Sequence, residues 1–296
     1  MTRGGRLGVA WSLVLGAMLL VLAGGGEAAP RVASMNACTD QLLLRLADPG
    51  QIASVSEYAG NPAFSYMAGA AARYPKNHGH AEEILARGPD VVLSGPYTNR
   101  ASKRRLRALG FRVVELASPD GFAGIRANIR QVARIVGHPA RGERLIAGMD
   151  RILGAVRRRL PPPGERLRVL ALRPNGVTVG RGALLDTLMR AAGLRNAGRE
   201  LGAGVYDEVP LEELVATAPD MIILAAFSGA PPSLAQGVLQ HPVFRALDTK
   251  RSPMWLPGRL WSCGGWFAGE AVARMAKHAY GIRVPAGGEG SERGGR

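Results

Sequence analysis

HAEEILARGPDVVLS, residues 80–94, returns as PLEELVATAPDMIILA at residues 210–225. Laying Glu82 on Glu212, an offset of 130, also matches Glu83 with Glu213, Ala86 with Ala216, Pro89 with Pro219 and Asp90 with Asp220. In each copy a short amphipathic stretch runs into Gly-Pro or Ala-Pro, which ends a helix because proline and the residue before it disfavour helical backbone. An apolar run without polar alternation follows, the pattern of a strand covered on both faces. The unit is therefore a helix feeding a buried strand, written twice.

Working outward, the first copy is flanked by RVASM, an apolar strand pattern, and by NACTDQLLLRLAD, whose Leu42, Leu43, Leu44 and Leu46 suit a helix after a polar turn. QIASVS and FRVVEL read as strands and KRRLRALG as an amphipathic helix. From about Gly121 to Leu160 no strand candidate occurs. Ile125, Ile129, Val132, Ile135 and Val136 keep helical spacing, continuing after GHPARGE through Leu145, Ile146, Met149, Ile152 and Val156, with at most one interruption near Pro139. PPPGE at residues 161–165 closes this stretch, and the first rhythm restarts. RLRVLALR, DMIILAA and SPMWLP are strand candidates; ALLDTLMRAAG, PLEELVATAP, SLAQGVLQ into HPVFRAL, and GEAVARMAKHAYG are helical. Alternation of this kind predicts an α/β fold of two lobes, each a mostly parallel sheet flanked by helices, joined by one long backbone helix. The expected boundaries are 30–120 for the N-terminal lobe, 121–160 for the interlobe helix and 161–284 for the C-terminal lobe.

Both chain ends fall outside that fold. Residues 1–29 read as a secretory signal peptide: a short basic start, an apolar run from Leu7 to Ala23, and small Gly26 and Ala28 before a cleavage site near Ala29 or Pro30. A soluble periplasmic protein is the expected product. Residues 285–296, rich in glycine and without apolar periodicity, are expected to be disordered.

The hydrophobic fraction of 47% is that of a globular protein, and the formal charge of +15 admits an acidic ligand. Arg126, Arg130, Arg134, Arg141, Arg144 and Arg151 are spaced along predicted helix faces, the pattern of a solvated surface, so no nucleic-acid partner is expected. No Gly-x-Ser-x-Gly elbow, His-Glu-x-x-His helix or phosphate-cradling Gly-x-x-x-x-Gly-Lys loop is written in the chain, which argues against an enzyme built on those motifs.

The segments RVASMNACTDQLLLRLAD, HAEEILARGPDVVLSG, LGFRVVEL, PLEELVATAPDMIIL and LWSCGGWFAGEAVARM, in this order around one helical linker, resemble the periplasmic substrate-binding proteins of ABC importers. The resemblance is to the class that serves ferric siderophores, haem and cobalamin, and it covers nearly the whole mature chain. It implies a monomer without cofactor or catalytic residues, which captures a metal chelate or tetrapyrrole between its lobes and delivers it to an inner-membrane permease with its ATPase. It also implies that Glu82 and Glu212 meet arginines of the permease; both acids, in the first turn of a helix, also suit its dipole. The alternative is an exported enzyme or sensor on the same scaffold, for example a thiol-dependent protein that processes metal chelates.

Ligands of open parallel sheets sit beyond the carboxyl ends of the strands. The loops expected there carry Tyr58, Tyr97, Phe227, Trp261, Trp266 and Phe267, an aromatic wall suited to a bulky chelate. Arg173 and Arg181 flank PNGVTVG and offer paired hydrogen bonds to ligand oxygens, and Tyr206 lies just before the second repeat. His78, near His80 in NHGH, is a ligand-contact candidate, but two histidines without a further cluster do not make a site for a free metal ion. Cys38 and Cys263 fall one in each lobe. They read as an interlobe disulfide, as free thiols near the ligand, or as small core residues.

Overall fold

The computed structural model describes residues 29–226, Pro242 and residues 249–285. Apart from single residues at their edges, the expected signal peptide, the loop with Phe227, the helices expected over residues 233–247 and the C-terminal tail lie outside the described residues.

Five parallel strands form the N-terminal sheet: β1 (Val32–Ser34), β2 (Ile52–Ser56), β3 (Lys76–Asn77), β4 (Val91–Ser94) and β5 (Arg112–Glu115), in the order β3-β2-β1-β4-β5. Helices α1 (Ala37–Leu46), α2 (Ala68–Ala71), α3 (Ala81–Leu85) and α4 (Arg100–Ala108) lie between them. In the C-terminal lobe, β6 (Arg168–Leu172), β8 (Arg195–Asn196), β10 (Met221–Ala226) and β11 (Met254–Pro257) pair in parallel in the order β11-β10-β6-β8. A small antiparallel pair, β7 (Val177–Thr178) with β9 (Asp207–Glu208), stands beside them. Helices α7 (Leu184–Ala191), α8 (Ala197–Glu200), α9 (Leu211–Ala216) and α10 (Ala268–Tyr280) complete the lobe.

The repeat builds the same joint twice. His80 and Pro210 are the N-caps of α3 and α9, so the helices begin at Ala81 and Leu211. Ile84 and Leu214 point inward and are wholly buried. The carboxylate of Asp90 accepts from the Arg31 amide at 2.7 Å, and that of Asp220 from the Arg168 amide at 2.8 Å. In return each aspartate amide donates to the carbonyl of the same arginine at 2.8 Å. The Pro-Asp pair thus locks the incoming strand, β4 or β10, to the start of its neighbour, β1 or β6.

The connection between the lobes is helical from Phe122 to Arg157 with a single interruption beside Pro139, as the spacing predicts. It folds back as a hairpin of α5 (Phe122–Ile135) and α6 (Pro139–Arg157), with ion pairs Arg126–Asp150 (2.6 Å) and Arg130–Glu143 (2.7 Å) between the antiparallel helices. The chain reverses at Gly137–His138, and Pro139 can open α6 because the first turn of a helix needs no amide donor there. Helix α6, 19 residues long, is the part that bridges the lobes. At its start Arg141 donates to the Leu46 carbonyl (2.6 Å) and pairs with Asp48 (2.8 Å) in the N-terminal lobe. Further along, Met149 and Ile152 pack against Gly269 of α10 in the C-terminal lobe.

Candidate ligand-binding cleft

The carboxyl edges of the two sheets are joined at one covalent point. Asn36 follows β1 and caps α1, its side-chain oxygen accepting from the amides of Cys38 (3.0 Å) and Thr39 (3.1 Å). Cys38 is thereby held in the first turn, and its sulfur is bonded to that of Cys263, with the α-carbons 5.1 Å apart. Of the three readings of these cysteines, the structure has the interlobe bond and neither free thiols nor two separate core residues. Gly264, the next residue, lies so close to Pro119 of the N-terminal lobe that a β-carbon would stand 2.1 Å from the proline ring. Gly264 of SCGGWF is therefore what lets this loop press against the opposite lobe, while Gly265 leaves room for the Phe267 ring of its own loop.

On the N-terminal edge the loop after β4 is tied down on both sides. Asn36 Nδ2 donates to Thr98 Oγ1 (3.0 Å), and buried Lys103 donates to the Gly95 carbonyl (2.9 Å) and pairs with Glu115 (2.6 Å). Between these anchors Tyr97 stands 93% exposed. Tyr58, after β2, is half exposed and meets Phe64 edge to face at 5.9 Å. His78, after β3, is engaged: its Nδ1 lies 2.9 Å from Glu83 Oε1, and its amide donates to Glu83 Oε2. These bonds raise the imidazole pKa and lower that of Glu83. Among the described residues no group of three or more His, Cys, Asp or Glu side chains is arranged to hold a metal ion.

On the C-terminal edge Arg173 follows β6 directly. Its guanidinium lies over the Tyr206 ring at 4.3 Å from the centroid and over the Trp261 ring at 4.9 Å. Its Nε is buried without a hydrogen-bond partner among the described residues, and burial holds the group below its ordinary pKa. Trp261 is not an open wall residue: it is 3% exposed, and its indole donates to the Leu256 carbonyl at 3.2 Å while its face backs Arg173. Tyr206 is the exposed side of this clamp. Arg181 is exposed and makes no side-chain hydrogen bond or ion pair among the described residues. Trp266 and Phe267 turn away to pack on Tyr66, at 5.9 and 5.0 Å, beside the bridging helix. That packing takes them from the aromatic wall expected of them.

No pattern along the chain marked the residues that tie the two lobes together by hydrogen bonds. Tyr66 donates across the lobes to Glu270 Oε2 at 2.7 Å, and burial together with this bond raises the phenol pKa. Thr187 of α7 donates to the Asp120 carbonyl (2.8 Å), and Arg259 reaches the Pro62 carbonyl (3.4 Å). None of these belongs to a motif. Asp40 did leave a signal, an acid among the apolar residues of CTDQLLL. It is wholly buried, accepts from the Ser56 amide (3.0 Å) and hydroxyl (2.5 Å), and is pushed up by burial to about 6.

Residues 32–252 match the family described as periplasmic binding protein. The chain belongs to that family. No curated protein matches the sequence of this binding protein. Among solved structures it is similar to the periplasmic haem-binding protein RhuT of Roseiflexus sp. RS-1, with a TM-score of 0.69 and 22% identity over 86% of this chain and 99% of the other. A periplasmic haem-binding protein of Pseudomonas aeruginosa gives a TM-score of 0.68 at 19% identity, covering 86% and 95%. CeuE of Helicobacter pylori with Ni(II) bound gives 0.66 at 18%, covering 85% and 83%. These likenesses bear on the fold: two parallel sheets flanked by helices, with a helical bridge. The family is one of binding proteins rather than enzymes. Among the described residues no helix is long and apolar enough to cross a membrane.

The repeat acids of the binding protein occupy matching places, both exposed in the first turns of α3 and α9. Glu82 Oε1 lies 3.4 Å from Arg105 Nε, a surface contact between two largely exposed side chains. Glu212 has no ion-pair partner among the described residues.

Proposed function

We propose that this periplasmic binding protein captures a carboxylate-bearing metal chelate between its lobes, with haem the first candidate, and delivers it to an ABC permease. The observation that carries the reading is Arg173. A guanidinium stacked between two rings, with a buried N–H unpaired among the described residues, is a partly desolvated cation that gains most from an anionic ligand group. The anchored Tyr97 and half-exposed Tyr58 offer π faces and hydroxyls on the opposite edge. The haem-binding relatives in fold support haem ahead of siderophores or cobalamin. Glu82 and Glu212 serve as the docking pair for the permease, and residues 1–29 as the cleaved export signal.

Titration of the purified protein with haemin, a ferric siderophore and cobalamin, followed by tryptophan quenching and ligand absorbance, tests the ligand. Saturable haemin binding without turnover is expected, weakened about tenfold or more by Arg173→Ala, because charge-assisted contacts to a buried cation are worth about 1.5–3 kcal/mol. Equal affinity of Arg173→Ala for every ligand sinks the assignment. For docking, the double variant Glu82→Ala with Glu212→Ala is expected to keep ligand affinity and lose permease-dependent uptake; unchanged uptake overturns it.

A further inference from the structure

A groove of about 1130 Å³ runs beside the bridging helix, between α6 and α10, away from the loops that carry Arg173, Tyr58 and Tyr97. Its volume lies just above the range of about 300–1,000 Å³ usual for small-molecule sites. Leu145, Met149, Ile152, Trp266, Phe267 and Ile282 supply apolar lining. Around them stand seven cationic side chains and one carboxylate, Glu270. That carboxylate is already taken by Tyr66 at 2.7 Å and Arg274 at 2.6 Å. Arg141 is likewise committed, to Asp48. Arg144, Arg151, Lys277 and Arg283 are exposed and form no ion pair among the described residues. Apolar lining and an uncompensated cationic rim together select a ligand with the opposite distribution.

We propose that this groove is a second binding site, for a single-chain anionic amphiphile: a carboxylate or phosphate headgroup on an aliphatic chain. The headgroup pairs with the free cations of the rim, and the chain covers Leu145, Ile152 and Trp266. Nothing in this assignment depends on haem being the cleft ligand.

The test is calorimetric titration of the purified protein with laurate and with dodecyl phosphate, each below its micelle concentration. Dodecyl maltoside and inorganic phosphate serve as controls for tail and headgroup alone. Saturable one-site binding of laurate or dodecyl phosphate is expected, with neither control binding; comparison of the two ligands tells which headgroup is preferred. The double variant Arg144→Glu with Lys277→Glu is expected to lose affinity about tenfold or more while its far-ultraviolet circular dichroism and thermal unfolding midpoint stay unchanged, which shows that it is folded. The proposal is overturned if dodecyl maltoside binds as tightly, or if the double variant binds laurate and dodecyl phosphate undiminished. It is equally overturned if the protein ignores both ligands and instead sediments with phosphatidylglycerol vesicles or self-associates in proportion to its concentration.

Discussion

In the N-terminal lobe the helix after the first strand buries Asp40; in the C-terminal lobe the corresponding helix buries Asp186, 2% exposed. Each carboxylate bonds the next strand of its sheet, Asp40 through Ser56 at the end of β2 and Asp186 through Asn196 of β8 at 2.9 Å. Their further surroundings differ. Asp186 has Arg190 Nε at 3.2 Å and Arg199 Nη1 at 3.6 Å, whereas Asp40 has no ion-pair partner among the described residues, only the more distant pull of Lys76. The same architectural acid therefore stands against two arginines in one lobe and against hydroxyl and amide donors in the other. A second contrast sits in the repeat. Gly88 adopts φ +55°, and its counterpart Ala218 adopts φ +43°, a left-handed conformation that costs a residue with a β-carbon about 1 kcal/mol or more. The lobes share a backbone plan without sharing the residues that suit it best.

The largest effect is expected from uncoupling the lobes that make this comparison possible. Replacing Cys38 and Cys263 together by serine opens a covalent loop spanning 225 positions and is expected to lower stability by about 2–5 kcal/mol, read by thermal unfolding with and without reductant. If the variant and the reduced protein melt with the oxidised one, the bond does not hold the lobes together.

The acid pair comes next. Asp40 rises from 3.8 to about 6 on folding, so the folded state holds its proton more tightly than the unfolded chain. Stability from this group is full below about 3.8 and is lost as the pH climbs to about 6, roughly 3 kcal/mol in all. Asp40→Asn, which can still accept from the Ser56 amide and donate to its hydroxyl, is expected to flatten that dependence and raise stability at neutral pH. Asp186→Asn is expected to do the reverse at neutral pH, losing about 1–3 kcal/mol because two arginines lose their partner. Denaturant titrations of both variants at pH 4 and pH 7 separate them, and equal responses would remove the distinction between the lobes.

The smallest effect concerns the repeat itself. Ala218→Gly is expected to stabilise by about 0.5–1 kcal/mol and Gly88→Ala to destabilise by a similar amount or more. An added β-carbon at Gly88 meets only Arg31 at 3.9 Å, so the penalty there is conformational rather than steric. Opposite shifts in the unfolding midpoint sharpen the correspondence of the two joints; shifts of one sign break it.

Much of this was legible along the chain. Matched Glu-Glu, Pro-Asp and apolar residues carried the two-lobed plan because a helix stop and a doubly covered strand leave local, periodic traces. The strands β3, β7, β8 and β9 left none: each is two residues long, too short for any period to show. The helical interlobe stretch and its one interruption near Pro139 were legible because both arms share helical spacing; that the arms fold back on each other, with Arg126 and Arg130 facing Asp150 and Glu143, was not. In the cleft, Arg173, Tyr206 and Trp261 were separate candidates whose meeting is a matter of tertiary distance.

By itself the sequence determined the alternation of helices and strands and the doubled joint, since these rest on backbone preference and apolar period, which act within a few residues. The tertiary structure alone decided the bonding of Cys38 to Cys263 and the isolation of Arg173 between two rings. It also decided that Trp266 lines a cationic groove rather than the cleft. These depend on the closeness of side chains far apart in the chain, and spacing along one dimension does not encode it.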